Sequence, residues 1–229
     1  GDYNYVFDPR IRLSLIDIKP EDWIVIVDEA HNLPDRVMGY GSPTLSLLEA
    51  WQAWNVLKED LFFHKFAAPM RKLADFISQG LKDHLQHNEA DSMQERALSL
   101  DEGMERKELR KIVAEIESLA LDYAVQKLNH APFGQEQDLW LSCAYGAQSF
   151  LAAQERASSE TIVIWQLGDG DRQNSWKRRH RDPLFSVGAP VKDSKTGVSL
   201  LCRDSAPLLR TLFTKFGGTI AMSATLQPA

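Results

Sequence analysis

Two neighbouring carboxylates stand directly after an apolar run, in the segment Val27-Asp28-Glu29-Ala30-His31. Hydrolysis of a nucleoside triphosphate needs one carboxylate at a strand end to hold Mg²⁺, directly or through water, and a neighbouring group that positions and deprotonates the attacking water. Asp28 and Glu29 occupy these two places. An acidic pair after a strand also occurs in ordinary solvated turns and helix starts, where it interacts favourably with the helix dipole. On their own the two residues leave both interpretations open.

The segment Ser223-Ala224-Thr225 follows a second short apolar run, residues 219–222, near the other end of the chain. If the two runs form adjacent parallel strands, their tips meet at one edge of the sheet, and His31 comes within hydrogen-bonding reach of the hydroxyl of Ser223 or Thr225. Taken alone, Ser-Ala-Thr after a strand is more typical of simple turn chemistry. Only its pairing with Asp28 makes it a candidate for function.

Five basic side chains and one aromatic side chain occur within ten residues of an otherwise acidic chain. Lysine and arginine in a loop can pair with phosphates while tryptophan stacks on a base, which is the combination that single-strand-binding proteins use. Asp169, Asp171 and Asp182 flank the cluster and could neutralise it, and charged loops are usually only solvated. The candidate nucleic-acid contacts are Arg172, Trp176, Lys177, Arg178, Arg179 and Arg181.

The apolar runs predict the elements that position these residues. Residues 23–27 are a continuous apolar run rich in β-branched side chains, which predicts a strand buried on both faces of a parallel sheet. Residues 219–222 predict a second buried strand. Residues 206–213 predict a short amphipathic crossover helix, with Ser205 as its N-cap and Gly217 beyond its end.

A parallel crossover needs only about a dozen residues, yet 187 residues run from Asn32 through Gly218. An entire domain is therefore predicted between the two strands. Apolar side chains at steps of three and four predict amphipathic helices over 45–61, 70–81 and 109–123, the last preceded by the capping-box patterns Ser92/Glu95 and Ser99/Glu102. We expect residues 44–157 to be helical throughout. Residues 161–165, 184–187 and 198–202 predict a small β section.

The composition is that of a globular protein, and the predicted strands and helices make it an α/β protein. The chain has 229 residues, 44% of them apolar, and a formal charge of −6, which excludes disordered and collagen-like classes. No stretch approaches the roughly 20 consecutive apolar residues of a membrane span, and the N-terminus lacks a signal-peptide pattern, so we expect an intracellular protein that contacts no membrane. Cys143 and Cys202 lie far apart and are expected to be buried free thiols.

The segments Asp28-Glu29-Ala30-His31-Asn32-Leu33 and Ser223-Ala224-Thr225-Leu226 resemble motifs II and III of superfamily 2 helicases, and more narrowly the XPD/DinG family. In that family a mainly helical Arch domain is inserted between these motifs. Residues 3–9 and 201–205 also resemble flanking segments of the first motor domain. The resemblance implies a partial RecA-like parallel sheet, at 1–34 and 198–229, that encloses an Arch-like insertion at 35–197 with its small β section.

The resemblance also implies a role for each matched residue. Asp28 helps to hold magnesium with ATP, Glu29 activates the hydrolytic water, and His31 with Ser223, Ala224 and Thr225 links the nucleotide state to DNA engagement. The chain contains no G-x-x-x-x-G-K-[ST] loop and no counterpart of the family's four cluster cysteines. We expect the phosphate loop and the iron–sulfur cluster upstream of Gly1, no cluster in this chain, and no ATP hydrolysis by this chain alone.

The function that follows from the resemblance is that of an ATP-dependent DNA helicase that moves 5′ to 3′ on single-stranded DNA, in the cytoplasm or at the nucleoid of a prokaryote. The net negative charge argues weakly against whole-surface DNA binding, so contacts must come from a local basic cluster. One alternative is an insertion that chiefly docks protein partners. Another is a translocase or nuclease-associated ATPase that does not unwind DNA.

Overall fold

The structure is a computed structural model, and it describes residues 2, 4–8, 11–85, 95–99, 104–130, 138–157, 161–168 and 195–223. The strands are β1 (Ile24–Val27), β2 (Thr44–Ser46), β3 (Glu95–Ser99), β4 (Thr161–Gln166), β5 (Gly197–Cys202) and β6 (Gly218–Ala221). The helices are α1 (Asn4–Phe7), α2 (Ser14–Asp17), α3 (Leu33–Tyr40), α4 (Leu47–Glu59), α5 (Ala67–Leu85), α6 (Met104–His130), α7 (Leu139–Glu155) and α8 (Ala206–Phe213). Short 3₁₀ turns cover Pro20–Asp22, Ala30–Asn32 and His64–Phe66. The chain is a mixed α/β protein, as predicted.

The parallel sheet joins β1 and β6, which lie at opposite ends of the chain. Ile24 is opposite Gly218 and Val27 is opposite Ala221. Beyond the strand ends, the amide of Met222 donates to the carbonyl of Val27 over 2.8 Å. The predicted adjacency of the two apolar runs is confirmed.

The prediction that β1 is buried on both faces is wrong for the described part of the chain. Val27 is 1% exposed and Val25 is half-buried, whereas Ile24 and Ile26 are 67% and 60% exposed. Helices α3 and α8 pack with Val25 and Val27 in one apolar cluster, so they cover only that face. A run of β-branched residues indicates a strand, but it does not say whether other segments cover both sides of it.

The inserted region is built on α4, α5, α6 and α7, whose apolar side chains form one large core. The three helices predicted from apolar stripes are present. Residues 44–157 are not helical throughout, because β2 and β3 lie within that range. Ser99 lies in a strand, so it caps no helix, and Ser92 lies outside the described residues. Within the described ranges, no helix has the length and apolar character that crossing a membrane requires.

The second sheet is antiparallel, with the strand order β2-β5-β4-β3. It confirms the predicted strands at 161–165 and 198–202, while 184–187 lies outside the described residues. The domain boundaries at 34/35 and 197/198 stay predictions. Two elements nevertheless lie on the other side of these boundaries in space. β5, most of which falls within the predicted motor segment 198–229, pairs with the strands of the antiparallel sheet. α3, most of which falls within the predicted insertion 35–197, packs on the parallel sheet.

The crossover helix α8 has the predicted bounds but a different cap. Ser205 makes no side-chain capping bond. The Oδ1 atom of Asp204 accepts a hydrogen bond from the amide of Ala206 over 2.8 Å instead. Ser205 is itself buried, which shows that sequence position alone did not identify the capping side chain.

Both cysteines are buried free thiols, as predicted. Burial, together with the nearby charge of Glu49, raises the pKa of Cys143 to about 12. Burial also raises the pKa of Cys202. Both side chains are therefore neutral thiols at pH 7.

Candidate ATPase site at the strand tips

The candidate site lies where the carboxyl ends of β1 and β6 meet. Asp28 and Glu29 follow the last residue of β1, and Ser223 stands one residue beyond Met222. The amide of Ala30 donates to the carbonyl of Met222 over 2.9 Å. Backbone hydrogen bonding therefore continues past the strands and holds the segment after β1 against the segment after β6.

Asp28 uses one carboxylate oxygen to hold the turn and leaves the other available. Its Oδ1 atom accepts a hydrogen bond from the amide of Glu29 over 2.9 Å. Its side chain is exposed. The second oxygen has no hydrogen-bond partner among the residues that the structure describes, so it can face a ligand in front of the strand tips.

Glu29 has a left-handed backbone, with φ 50° and ψ 43°. Apart from Lys19, no other non-glycine residue of the described ranges has positive φ. For an L-residue this conformation costs about 1–2 kcal/mol, and such strain is concentrated at functional sites. The conformation turns the chain sharply from β1 into the 3₁₀ turn at Ala30–Asn32.

His31 contacts two candidate residues with one ring nitrogen. Its Nδ1 atom lies 2.8 Å from Oγ of Ser223 and 3.2 Å from Oε2 of Glu29. A carboxylate only accepts hydrogen bonds, so a proton on Nδ1 satisfies Glu29 and Ser223 together, whereas a bare Nδ1 would accept from the serine hydroxyl. His31 therefore connects the carboxylate after β1 with the hydroxyl after β6, as the sequence predicted for Ser223.

The constellation is open to solvent. The side chains of Glu29 and His31 are 56% and 41% exposed. Exposed ion pairs contribute little to stability because water screens them. The arrangement is consequently better explained by what it can bind than by stabilisation of the fold.

The donor set around Asp28 fits a magnesium ion that arrives with phosphates. The described ranges hold no group of three or more histidine, cysteine, aspartate or glutamate side chains that could bind a metal by themselves. Magnesium is usually held by one or two carboxylates together with water and substrate phosphates. A single available carboxylate at Asp28 meets that requirement.

The roles of all the predicted site residues stay predictions. Ala224 and Thr225 lie outside the described residues, as do all of the candidate nucleic-acid contacts, Arg172, Trp176, Lys177, Arg178, Arg179 and Arg181. The structure therefore brings together Asp28, Glu29, His31 and Ser223.

Two parts of the site were missed by sequence reasoning. One is the contact between Glu29 and His31, whose i, i+2 spacing is not a helical neighbour spacing. The other is the left-handed backbone of Glu29, because glutamate is not a residue type that indicates positive φ. The backbone strain left no signal in the residue types.

The comparison with protein families agrees with the geometry. The family model DEAD_2 matches residues 2–48, which include α1, α2, α3, β1 and the Asp28–His31 segment. A search of the curated proteins finds no match. DEAD_2 is the domain of XPD/DinG-like helicases, so its match indicates an ATPase of helicase type. Residues 2–48 are therefore similar to the DEAD_2 segment of the XPD/DinG-like superfamily 2 helicases.

Proposed function

We propose that this chain is the central part of an ATP-dependent DNA helicase, in which hydrolysis at Asp28–His31 drives 5′ to 3′ movement on single-stranded DNA. The observation that carries the proposal is the contact of His31 with both Glu29 and Ser223. It joins a candidate water-activating group to the motif that the family resemblance connects with DNA. An enzyme that acts on DNA would work in the cytoplasm, or at the nucleoid of a prokaryote.

In the proposed reaction Asp28 holds magnesium and Glu29 receives the proton of the attacking water. Bound magnesium would neutralise charge on the phosphates as the terminal bond breaks. The hydrogen bond from the Glu29 amide to Oδ1 of Asp28 fixes the position of the Asp28 carboxylate relative to the backbone of Glu29. Glu29 is presented at the surface by its left-handed turn, where its carboxylate can meet a water molecule.

The coupling step uses His31. Its Nδ1 atom contacts both the hydroxyl of Ser223 and the carboxylate of Glu29. A movement of Ser223 would therefore change the hydrogen bond that Glu29 accepts from the imidazole. DNA that displaces Ser223, with Ala224 and Thr225 beside it, would thereby alter the orientation of the water-activating carboxylate. DNA engagement and hydrolysis would depend on the same imidazole.

The proposed DNA contacts lie in the insertion. The basic cluster, Arg172 with Trp176–Arg181, combines phosphate-pairing cations with one aromatic ring for stacking. An Arch-like insertion that carries it would help to form the opening through which single-stranded DNA passes. An iron–sulfur cluster belongs to a segment upstream of this chain in the same proposal.

The test is Glu29→Gln in the full-length protein. Loss of the water-activating carboxylate should lower the rate of DNA-stimulated ATP hydrolysis by at least about 10²-fold, the lower end of what general-base catalysis contributes. Nucleotide binding should persist, since the amide keeps the side-chain volume. Glu21→Gln is the matched control, because Glu21 is an exposed acid outside the site. Wild-type hydrolysis by the Glu29→Gln protein would refute the assignment.

A second candidate function, a protein-docking insertion, is favoured by exposed apolar side chains on α6. Leu121 is 77% exposed and Leu128 is 69% exposed. Leu121→Ser with Leu128→Ser in the full-length protein separates the two functions. Binding to single-stranded DNA should be unchanged if these residues serve a protein partner. A strand-displacement assay distinguishes the helicase from an ATPase that translocates, or serves a nuclease, without unwinding.

A further inference from the structure

A cavity of about 450 Å³ lies where the parallel-sheet layer meets the inserted region. One side is formed by the N-terminal segment, α3 and α8, and the other by the end of α7 and the facing residues of β4 and β5. Small-molecule sites commonly have volumes of about 300–1,000 Å³ and occur preferentially at domain junctions. Asp28, Glu29 and His31 are not among the residues that line this cavity, so it is separate from the candidate ATPase site.

The floor of the cavity is apolar. Phe7 and Val37 are 4% and 2% exposed and belong to the core of the parallel-sheet layer. Leu208 and Leu212 of α8 pack against the same core and complete the floor. An apolar ligand body would therefore meet side chains that are already held in place by the fold.

The charged side chains of the described lining are cationic. Arg12, Arg156 and Lys215 line the cavity, and no aspartate or glutamate of the described ranges does, although the whole chain has more acidic than basic residues. Neither Arg156 nor Lys215 forms an ion pair with a residue that the structure describes. Two cations beside an apolar surface, with no ion-pair partner in the described part of the chain, favour a ligand that brings the negative charge itself.

Arg12 adds a donor for which the described part of the chain offers no acceptor. Its Nη2 atom pairs with Oδ1 of Asp17 at 2.5 Å. Its Nε atom is buried and has no hydrogen-bond partner among the described residues. Buried donors are nearly always satisfied in native proteins, so an orphaned one beside a cavity indicates that an acceptor is missing.

We propose that this cavity binds a small amphipathic anion, which has an apolar body and a single carboxylate or phosphate head. The body would lie on Phe7, Leu208 and Leu212, and the head would pair with Arg156, Lys215 and Arg12. Since the walls come from both the parallel-sheet layer and the insertion, the ligand stabilises their mutual arrangement by RT ln(1 + L/Kd), where L is the free ligand concentration. Through this site a small molecule can then influence how the parallel-sheet layer and the insertion are positioned relative to each other.

The first test is calorimetric titration of the 229-residue chain with hexanoate, octanoate and decanoate. Affinity should rise several-fold with each added methylene, because each one buries further apolar surface. Octanamide, which has the same body without charge, should bind at least about tenfold more weakly than octanoate. Octyl phosphate compared with octanoate identifies which head the cations prefer. Equal affinities for octanamide and octanoate, or the absence of saturable binding, would overturn the proposal.

The second test locates the binding. Arg156→Ala with Lys215→Ala should lower octanoate affinity at least about tenfold, and both residues are exposed enough that the fold should persist. The matched control is Arg210→Ala with Lys111→Ala, which removes two exposed cations that do not line the cavity. Ala157→Phe fills the cavity from the end of α7 and should abolish binding. Octanoate affinity that the cavity variants leave unchanged would contradict the proposal.

Discussion

Nδ1 of His31 lies 2.8 Å from Oγ of Ser223, a residue 192 positions further along the chain. The same nitrogen lies 3.2 Å from the carboxylate of Glu29. The parallel pairing of β1 with β6 brings these residues together, and the bond between Ala30 and Met222 extends that pairing to the site. One imidazole thus contacts a candidate site residue at each of the two strand tips.

Ser223→Ala in the full-length protein should reduce the ratio of DNA-stimulated to basal ATP hydrolysis. The hydroxyl that connects His31 to the segment after β6 is lost, so DNA engagement no longer reaches Glu29. We expect a fall of roughly tenfold, the equivalent of one hydrogen bond of about 1.4 kcal/mol. Ser223→Thr keeps a hydroxyl and should retain most of the ratio. An unchanged ratio in Ser223→Ala would show that this contact does not couple DNA to hydrolysis.

Glu29→Gly should be more stable than Glu29→Ala, which reverses the usual order of these residues. At an ordinary position alanine is favoured by about 0.4–1 kcal/mol because glycine has more freedom when unfolded. With φ at 50°, glycine instead avoids a cost of about 1–2 kcal/mol that alanine retains. Urea unfolding of the 229-residue variants measures the difference. A more stable alanine variant would mean that the left-handed backbone is not maintained in solution.

Asp138 should make the stability of the inserted region sensitive to acid. Burial, the largest influence, acts to raise the pKa of Asp138, but the Leu141 amide, Lys127 and the Tyr123 hydroxyl together outweigh it and leave that pKa below its usual value. A carboxylate whose pKa is lowered by folding stabilises the fold fully at pH values above its pKa in the unfolded chain, which is near 4. This contribution is lost as the pH falls through the pKa of the folded state. Asp138→Asn should lower the free energy of unfolding by about 2 kcal/mol at pH 7, and the difference from the unsubstituted protein should shrink below pH 4.

Urea unfolding at pH 7, 5 and 3 measures this dependence. Asp122→Asn is the matched control on α6, because Asp122 pairs with Lys65 at 3.1 Å but is 64% exposed. It should change the free energy of unfolding by less than about 0.5 kcal/mol at every pH. A deficit of Asp138→Asn that stays constant down to pH 3 would rule out the proposed titration.

Gly80→Ala and Gly39→Ala should have opposite effects on stability. An alanine Cβ at Gly80 would lie 2.0 Å from Cη2 of Trp165, which is 1% exposed and cannot move without disturbing the core. We expect a destabilisation of about 1–3 kcal/mol. At Gly39 a Cβ would meet nothing within 4 Å, so alanine should stabilise α3 by about 0.5–1 kcal/mol. Thermal or urea unfolding checks both, and a stabilising Gly80→Ala would contradict the packing around Trp165.

Arg178→Ala with Arg179→Ala should weaken binding of single-stranded DNA by the full-length protein and reduce its salt dependence. Each lost phosphate contact lowers the slope of log affinity against log salt by about 0.7 for a single strand. Titrations across a salt series measure the slope. Lys111→Ala with Arg210→Ala removes the same charge elsewhere and controls for net charge. An unchanged slope in the Arg178/Arg179 variant would show that the basic cluster does not contact the DNA.

The order of apolar and polar residues determined the presence and approximate limits of β1, β6, α8, α4 and α5, and the central part of α6. It also determined that Asp28 and Glu29 follow a strand. These properties depend on spacings of two to four residues and on the chemistry of single side chains, so they can be read locally. The predicted meeting of His31 with Ser223 needed one further step, the inference that two distant apolar runs are neighbouring strands.

The tertiary structure alone decided which faces are covered and which backbone conformations are held. Glu95 and Ser99 each belong to a predicted helix-capping pattern, yet Glu95–Ser99 pairs with Ile162–Gln166 of β4 because that pairing is made across the fold. Ile24 and Ile26 are as apolar as Val27, yet only Val27 is buried, since α3 and α8 cover one side. The positive φ of Glu29 likewise occurs where the next residue, Ala30, donates a hydrogen bond to the carbonyl of the distant Met222. Burial and strain are set by segments distant in sequence, whose positions no local pattern specifies.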